Sequence, residues 1–185
     1  MNDRGYLEIT LGPMFSGKTT KLMEIFHHYK TRNNKECLIL GHSIDSRYDK
    51  YKITTHEKKE FLDCYKYNTV KEFINNNHDV IKNTYSICID ECQFFEDIEL
   101  VIQLVNIGKH IYLFGLDGDA DQKLFGNTYK LLPLCDKISK LNGRCYNCGM
   151  ENGSIFSMCN TNFKQENQID VGGEDKYHSV CRNCR

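Results

Sequence analysis

Tyr6-Leu7-Glu8-Ile9-Thr10-Leu11-Gly12-Pro13-Met14-Phe15-Ser16-Gly17-Lys18-Thr19-Thr20 stands near the start of the sequence. Its first six residues are rich in strand formers and alternate, which predicts a β-strand. Residues 12–19 match G-x-x-x-x-G-K-[ST], and the helical spacing of Leu22, Ile25, Phe26 and Tyr29 follows at once. Strand, glycine loop and helix in that order are the context in which this motif binds phosphate. Glycines let successive N–H groups turn inward toward an anion, and the helix N-terminus adds its positive dipole end. Lys18 would place a charge on the β- and γ-phosphates, and the Thr19 hydroxyl could ligate Mg²⁺. The motif implies a nucleoside triphosphate and leaves the phosphate acceptor open.

Downstream, Glu36–Gly41, Tyr85–Glu91 and His110–Gly115 are short apolar runs that predict buried strands. Helical patterns at about 69–77 and 98–107 separate them, and Gly108 ends the second. Residues 42–60 are polar and irregular, a loop or a hairpin. Strands alternating with helices predict an α/β P-loop fold, a parallel sheet with flanking helices. From about Leu141 the periodicity fades and Gly, Asn and Cys rise. This predicts two units, a nucleotide-binding domain over 1–141 and a small second module over 142–185.

The run Ile87-Cys88-Ile89 ends in Asp90 and Glu91. A carboxylate at such a strand end holds Mg²⁺ in phosphate-loop proteins, a role that fits Asp90. Glu91 is then free to act as a general base on a substrate hydroxyl or on water. The two options, kinase and ATPase, stay open at this point.

Ten cysteines are many for 185 residues. Cys145-x-x-Cys148 and Cys181-x-x-Cys184 are paired so that two turns could supply a tetrahedral Cys₄ zinc site with no position left for water. Four free thiols or a redox pair are the other reading. The remaining six are expected mainly to fill small core spaces. Arg47 could neutralise transferring phosphoryl charge or lie solvated on the surface. Phe94 and Phe125 either face the active centre or pack in the core.

Net charge is −1, from 24 basic and 25 acidic side chains, which argues against a nucleic-acid backbone as partner. No apolar run reaches the ~18–20 residues of a membrane span, and no signal peptide opens the chain. A cytoplasmic protein is expected.

Several segments together resemble the cellular and viral thymidine kinases. They are Gly-Pro-Met-Phe-Ser-Gly-Lys-Thr-Thr (12–20), Ile-Asp-Glu-Cys-Gln-Phe-Phe (89–95), Leu-Asp-Gly (116–118) with Lys123 and Phe125-Gly126, and Val-Gly-Gly-Glu-Asp-Lys-Tyr-His-Ser-Val-Cys-Arg-x-Cys (171–184). The resemblance implies transfer of the γ-phosphate of ATP to the 5′-hydroxyl of thymidine or deoxyuridine, and disfavours a P-loop ATPase or switch with a structural zinc ribbon. It implies Glu91 as base, Lys18 and Arg47 on the phosphoryl group, and Thr19 and Asp90 at Mg²⁺. Phe94, Leu116, Phe125 and Tyr177 would wall the base pocket. The resemblance implies that the module over 142–185 is a zinc ribbon and lid, in which backbone groups of Val171, Gly172 and Gly173 would bond the base edge. Feedback binding of dTTP and a homotetramer are implied by the same likeness. One departure stands out. After Leu-Asp-Gly the family runs Thr-Phe-Gln-Arg-Lys-Pro-Phe-Gly, whereas this chain has Asp119-Ala120-Asp121-Gln122-Lys123-Leu124-Phe125-Gly126. A methyl cannot replace the packing of a phenyl ring. Either the base pocket is looser, or Leu124 fills part of it, and a carboxylate of Asp119 or Asp121 could face the base.

Overall fold

The computed structural model describes residues 4–44, 52–54, 61–160 and 168–185. Six strands form one sheet: β1 (Tyr6–Leu11), β2 (Cys37–His42), β5 (Tyr65–Tyr67), β6 (Ser86–Ile89), β7 (His110–Gly115) and β8 (Lys137–Lys140). Their order is β5-β2-β6-β7-β1-β8, and every pairing is parallel. β3 (Lys52–Thr54), inside the stretch 42–60 read as loop or hairpin, and β4 (Phe61–Asp63), just beyond it, form a separate antiparallel pair. The helices are α1 (Lys18–His27), α2 (Val70–Asn76), α3 (His78–Asn83) and α4 (Val101–Asn106). Among the described residues no helix is long and apolar enough to cross a membrane.

Both faces of the sheet are covered, as a parallel sheet requires. Successive residues of the central strands alternate between two cores. Leu7, Ile9, Leu40, Ile87, Ile89, Ile111 and Leu113 pack toward α2 and α4. Ile39, Cys88, Tyr112 and Phe114 pack with Leu22 and Met23 of α1 on the other side. Cys37, Cys64, Cys88 and Cys92 are buried in these cores, as expected of packing cysteines. Glu8 and Thr10 are the polar residues of β1 and are also buried. Lys21 of α1 reaches both, at 2.9 Å to Glu8 and 2.9 Å to Thr10.

α2 begins where Thr69 accepts a hydrogen bond from the Glu72 amide. The Asp97 carboxylate accepts from the amides of Val70 and Lys71, so three of the four orphan donors of that helix end are satisfied. The expected helix at 98–107 starts as a 3₁₀ turn over Ile98–Leu100 before α4, and Gly108 follows at φ 89°. The loops that carry the motifs, after β1, β6 and β7, all leave the carboxyl ends of parallel strands, where ligands bind in open α/β sheets.

Candidate active site

The loop after β1 is built around two conformational demands. A Cβ on Gly12 would lie 2.6 Å from the Leu141 carbonyl oxygen and 2.8 Å from Ser16 Oγ, so only glycine fits. Phe15 at φ 60° and Gly17 at φ 84° turn the chain through left-handed geometry into α1. Lys18 is 9% exposed, and its Nζ donates to the carbonyls of Gly12 (3.0 Å) and Pro13 (2.7 Å). Ser16 Oγ is buried with no hydrogen-bond partner among the described residues. A cation folded over the loop, an unspent buried hydroxyl and an open helix N-terminus fit a bound phosphate chain. Thr19 and Thr20 lie on the first turn of α1.

At the end of β6 the Asp90 amide still donates to Leu40, at 2.8 Å, and its carboxylate accepts from the Glu91 amide. Glu91 then adopts φ 51°, ψ 44°, left-handed geometry that a residue with a Cβ enters at a cost of order 1 kcal/mol or more. Strain of this kind persists only where neighbours hold it, and Gln93 does. Its Nε2 donates to Glu91 Oε2 at 2.7 Å, while its Oε1 accepts from the Leu116 amide at 3.0 Å. One buried carboxamide thereby ties the acid after β6 to the backbone after β7. Two glycines admit it: a Cβ at Gly115 would meet Gln93 Oε1 at 2.6 Å, and one at Gly126 would meet the Gln93 carbonyl at 2.2 Å.

Glu91 lines an open cleft whose walls are mostly apolar. Phe94, Leu116, Phe125, Val171, Gly172 and Tyr177, the residues that the resemblance implied around the base, line it too. Phe94 and Phe125 meet edge-on, with centroids 5.7 Å apart. The Tyr177 hydroxyl donates to the Asp170 carbonyl at 2.7 Å. Burial, helped by the Asp170 charge, pushes its phenol up to about 12. Gly173 is not part of the lining; its carbonyl instead accepts from the amides of Lys176 and Tyr177. Arg47 lies outside the described residues.

The structure adds residues that the sequence reading did not place in the cleft. Met14, assigned to the phosphate loop, also faces it, so that loop and Glu91 share one space. Ser157 lines it and accepts from the Met14 amide at 2.9 Å. Gln168 and Asp170 complete one wall. Ala120 faces the cleft, and Leu124, 66% exposed, is not part of its lining. Asp121 is exposed and pairs with Lys123 at 3.3 Å. The Asp119 carboxylate is bonded to Asp121, Lys123 and Gln168.

The paired cysteines converge. β9 (Phe156–Cys159) and β10 (Tyr177–Val180) run antiparallel and carry the second pair back to the first. The sulfurs of Cys145, Cys148, Cys181 and Cys184 all lie within 4.8 Å of one another, with Cys148 and Cys181 at 3.8 Å. A tetrahedral ion about 2.3 Å from each sulfur separates them by about 3.8 Å, so the donor set fits zinc. Backbone N–H groups, first that of Cys148 and then that of Cys181, hold the Cys145 thiol down to about 6. Hydrogen bonding to Cys181 and Cys148 pushes Cys184 up to about 12.

A parallel sheet with a glycine phosphate loop and an acidic strand end beside an apolar cleft defines a phosphate-loop α/β protein with a small-molecule pocket. A family model described as thymidine kinase matches residues 5–185. The thymidine kinase of Amsacta moorei entomopoxvirus is 36% identical over 96% of each chain. That of fowlpox virus (strain NVSL) is 37% identical over 97% of this chain and 96% of its own. The cytosolic thymidine kinase of Gallus gallus is 33% identical over 98% of this chain and 77% of its own. The chain belongs to the thymidine kinase family, and the protein is an ATP-dependent kinase.

Proposed function

We propose that the protein transfers the γ-phosphate of ATP to the 5′-hydroxyl of thymidine, with deoxyuridine as a second acceptor. The observation that carries this reading is the shared space of Met14 and Glu91: the phosphate loop and the base open into one aromatic-walled cleft. The loop amides, Lys18 and the helix N-terminus bind the triphosphate, and Arg47 joins Lys18 in neutralising transferring charge. Mg²⁺, when bound by Thr19 and Asp90, supplies charge neutralisation on the phosphates. Gln93 keeps the Glu91 carboxylate aimed, and Glu91 takes the 5′-hydroxyl proton as that oxygen attacks the γ-phosphorus. Phe94, Leu116, Phe125 and Tyr177 sandwich the base. Backbone groups of Val171 and Gly172 bond its edge and exclude water, which limits futile ATP hydrolysis.

We divide the chain functionally into a nucleotide-binding unit over 1–141 and a lid module over 142–185 whose base is tied by structural zinc on Cys145, Cys148, Cys181 and Cys184. A cytoplasmic homotetramer, feedback binding of dTTP and no nucleic-acid partner complete the reading. The test is a panel of thymidine, deoxyuridine, deoxycytidine and purine deoxynucleosides with ATP and Mg²⁺. Monophosphate formation is expected from thymidine first and deoxyuridine second. Equal ADP release with every nucleoside and with none would point to an ATPase and overturn it.

A further inference from the structure

The turn after β7 and the segment that enters the lid meet at Gln168, which bonds the Asp119 carboxylate and the Leu124 carbonyl. Asp119 is 8% exposed. One carboxylate oxygen, Oδ1, accepts from the amides of Asp121 and Lys123, both at 2.9 Å. The Asp119 amide itself donates to the Lys123 carbonyl, closing the turn at 3.0 Å. The carboxylate is therefore fixed by its own turn, and its second oxygen, Oδ2, is presented outward. There Gln168 Nε2 donates to it at 2.7 Å and to the Leu124 carbonyl at 3.1 Å. A carboxylate whose orientation is set before its partner arrives loses little entropy on pairing, and a hydrogen bond to a charged acceptor is the stronger kind. Both residues line the same cleft, and two positions beyond Gln168 the chain reaches Asp170, Val171 and Gly172 on the cleft wall.

We propose that Asp119 is a positioning residue for nucleoside binding: its preset carboxylate latches Gln168 and so holds residues 170–172 over the base. This rests on reading the cleft as the nucleoside site. Losing the latch costs affinity for the nucleoside and leaves the phosphoryl chemistry in place, because among the described residues the bonds of the pair run to the turn itself and to Leu124. Among the described residues, the other ionisable groups around it are Glu91, Asp170 and Tyr177 in the cleft, and Asp117, Asp121 and Lys123 on the turn. Asp117 is paired with Lys140 and Asp121 with Lys123.

Gln168→Ala should raise KM for thymidine about fivefold, the scale of one partly exposed charge-assisted bond, with kcat and KM for ATP within about twofold of wild type. Gln168→Glu places two carboxylates together, and such a pair binds a shared proton more readily than either acid alone. Its KM ratio to wild type should therefore be large at about pH 8 and shrink toward about pH 6, a slope that Gln168→Ala lacks. Unchanged KM in both variants, or a ratio for Gln168→Glu that is flat with pH, would overturn the latch. Amide hydrogen exchange over residues 168–173, measured without nucleoside, separates this inference from the kinase reading. Faster exchange in Gln168→Ala supports the latch even if thymidine is not the acceptor, and equal exchange overturns it.

Discussion

At the scale of single residues, the account rests on Glu91, a carboxylate on a left-handed backbone steadied by the Gln93 carboxamide. Glutamine at position 91 has nearly the same shape but cannot accept the proton. Glu91→Gln should keep Tm and ATP binding near wild type and lower kcat by at least about 100-fold, the usual scale of a general base. Steady-state kinetics with thymidine decide it: a variant with near-normal kcat removes Glu91 from the mechanism. Glu91 and Lys18 were legible because a local motif carries both their identity and their place. Ser157 and Gln168 were not, since each acquires meaning only across the fold, from Met14 and Asp119 respectively. The carboxylates of the Asp119–Asp121 segment were noticed, but their direction was not readable: the turn's own amides orient Asp119, and Asp121 turns out to Lys123.

At the scale of elements, the predicted strands β1, β2, β6 and β7 carry strong apolar signals because both sheet faces are covered. β5 has three residues, and β8 is an edge strand with Lys137, Ile138 and Lys140 at or near the surface, so neither shows a burial pattern. What fixes β8 against β1 and α1 is partly ionic. Glu8, 6% exposed, accepts from Lys21 of α1 at 2.9 Å and lies 3.1 Å from Lys137 of β8, while the Tyr6 hydroxyl donates to it at 3.0 Å. Burial opposes its ionisation, but the bonds from Lys21 and Lys137 outweigh that and hold its carboxyl below the usual value. A folded-state pKa below the unfolded one means the stabilisation is present above the unfolded pKa and is lost as pH falls through the folded one. Glu8→Gln should therefore lower unfolding free energy by about 1–2 kcal/mol at neutral pH, with the gap closing in acid below the glutamate range. Urea titrations of both proteins across pH give the answer, and a gap constant with pH would contradict it.

At the scale of the whole molecule, the segment that follows the sheet and carries the four cysteines shares the cleft with the sheet's loops. Leu141 donates from its amide to Leu11 at the end of β1, and Ser157 on β9 supports the phosphate loop. Losing the metal should loosen both the lid and the floor. One zinc per chain is expected by metal analysis, and Cys145→Ser should lose it and lower Tm by at least about 5 °C. A variant that keeps full metal and full stability would exclude the Cys₄ assignment. The α/β architecture, the phosphate loop and the four sulfurs were readable because each is a local pattern, whereas closure of the cleft by residues 168–177 depends on the β9–β10 pairing.

The central claim is that phosphate moves from ATP to the nucleoside and not to water. Its most direct measurement is a single-turnover reaction of enzyme, Mg²⁺ and γ-labelled ATP, with and without thymidine. The account expects the label in thymidine 5′-monophosphate in a one-to-one ratio with ADP, and almost no ADP when thymidine is left out. Label appearing as inorganic phosphate at the same rate in both reactions would contradict it.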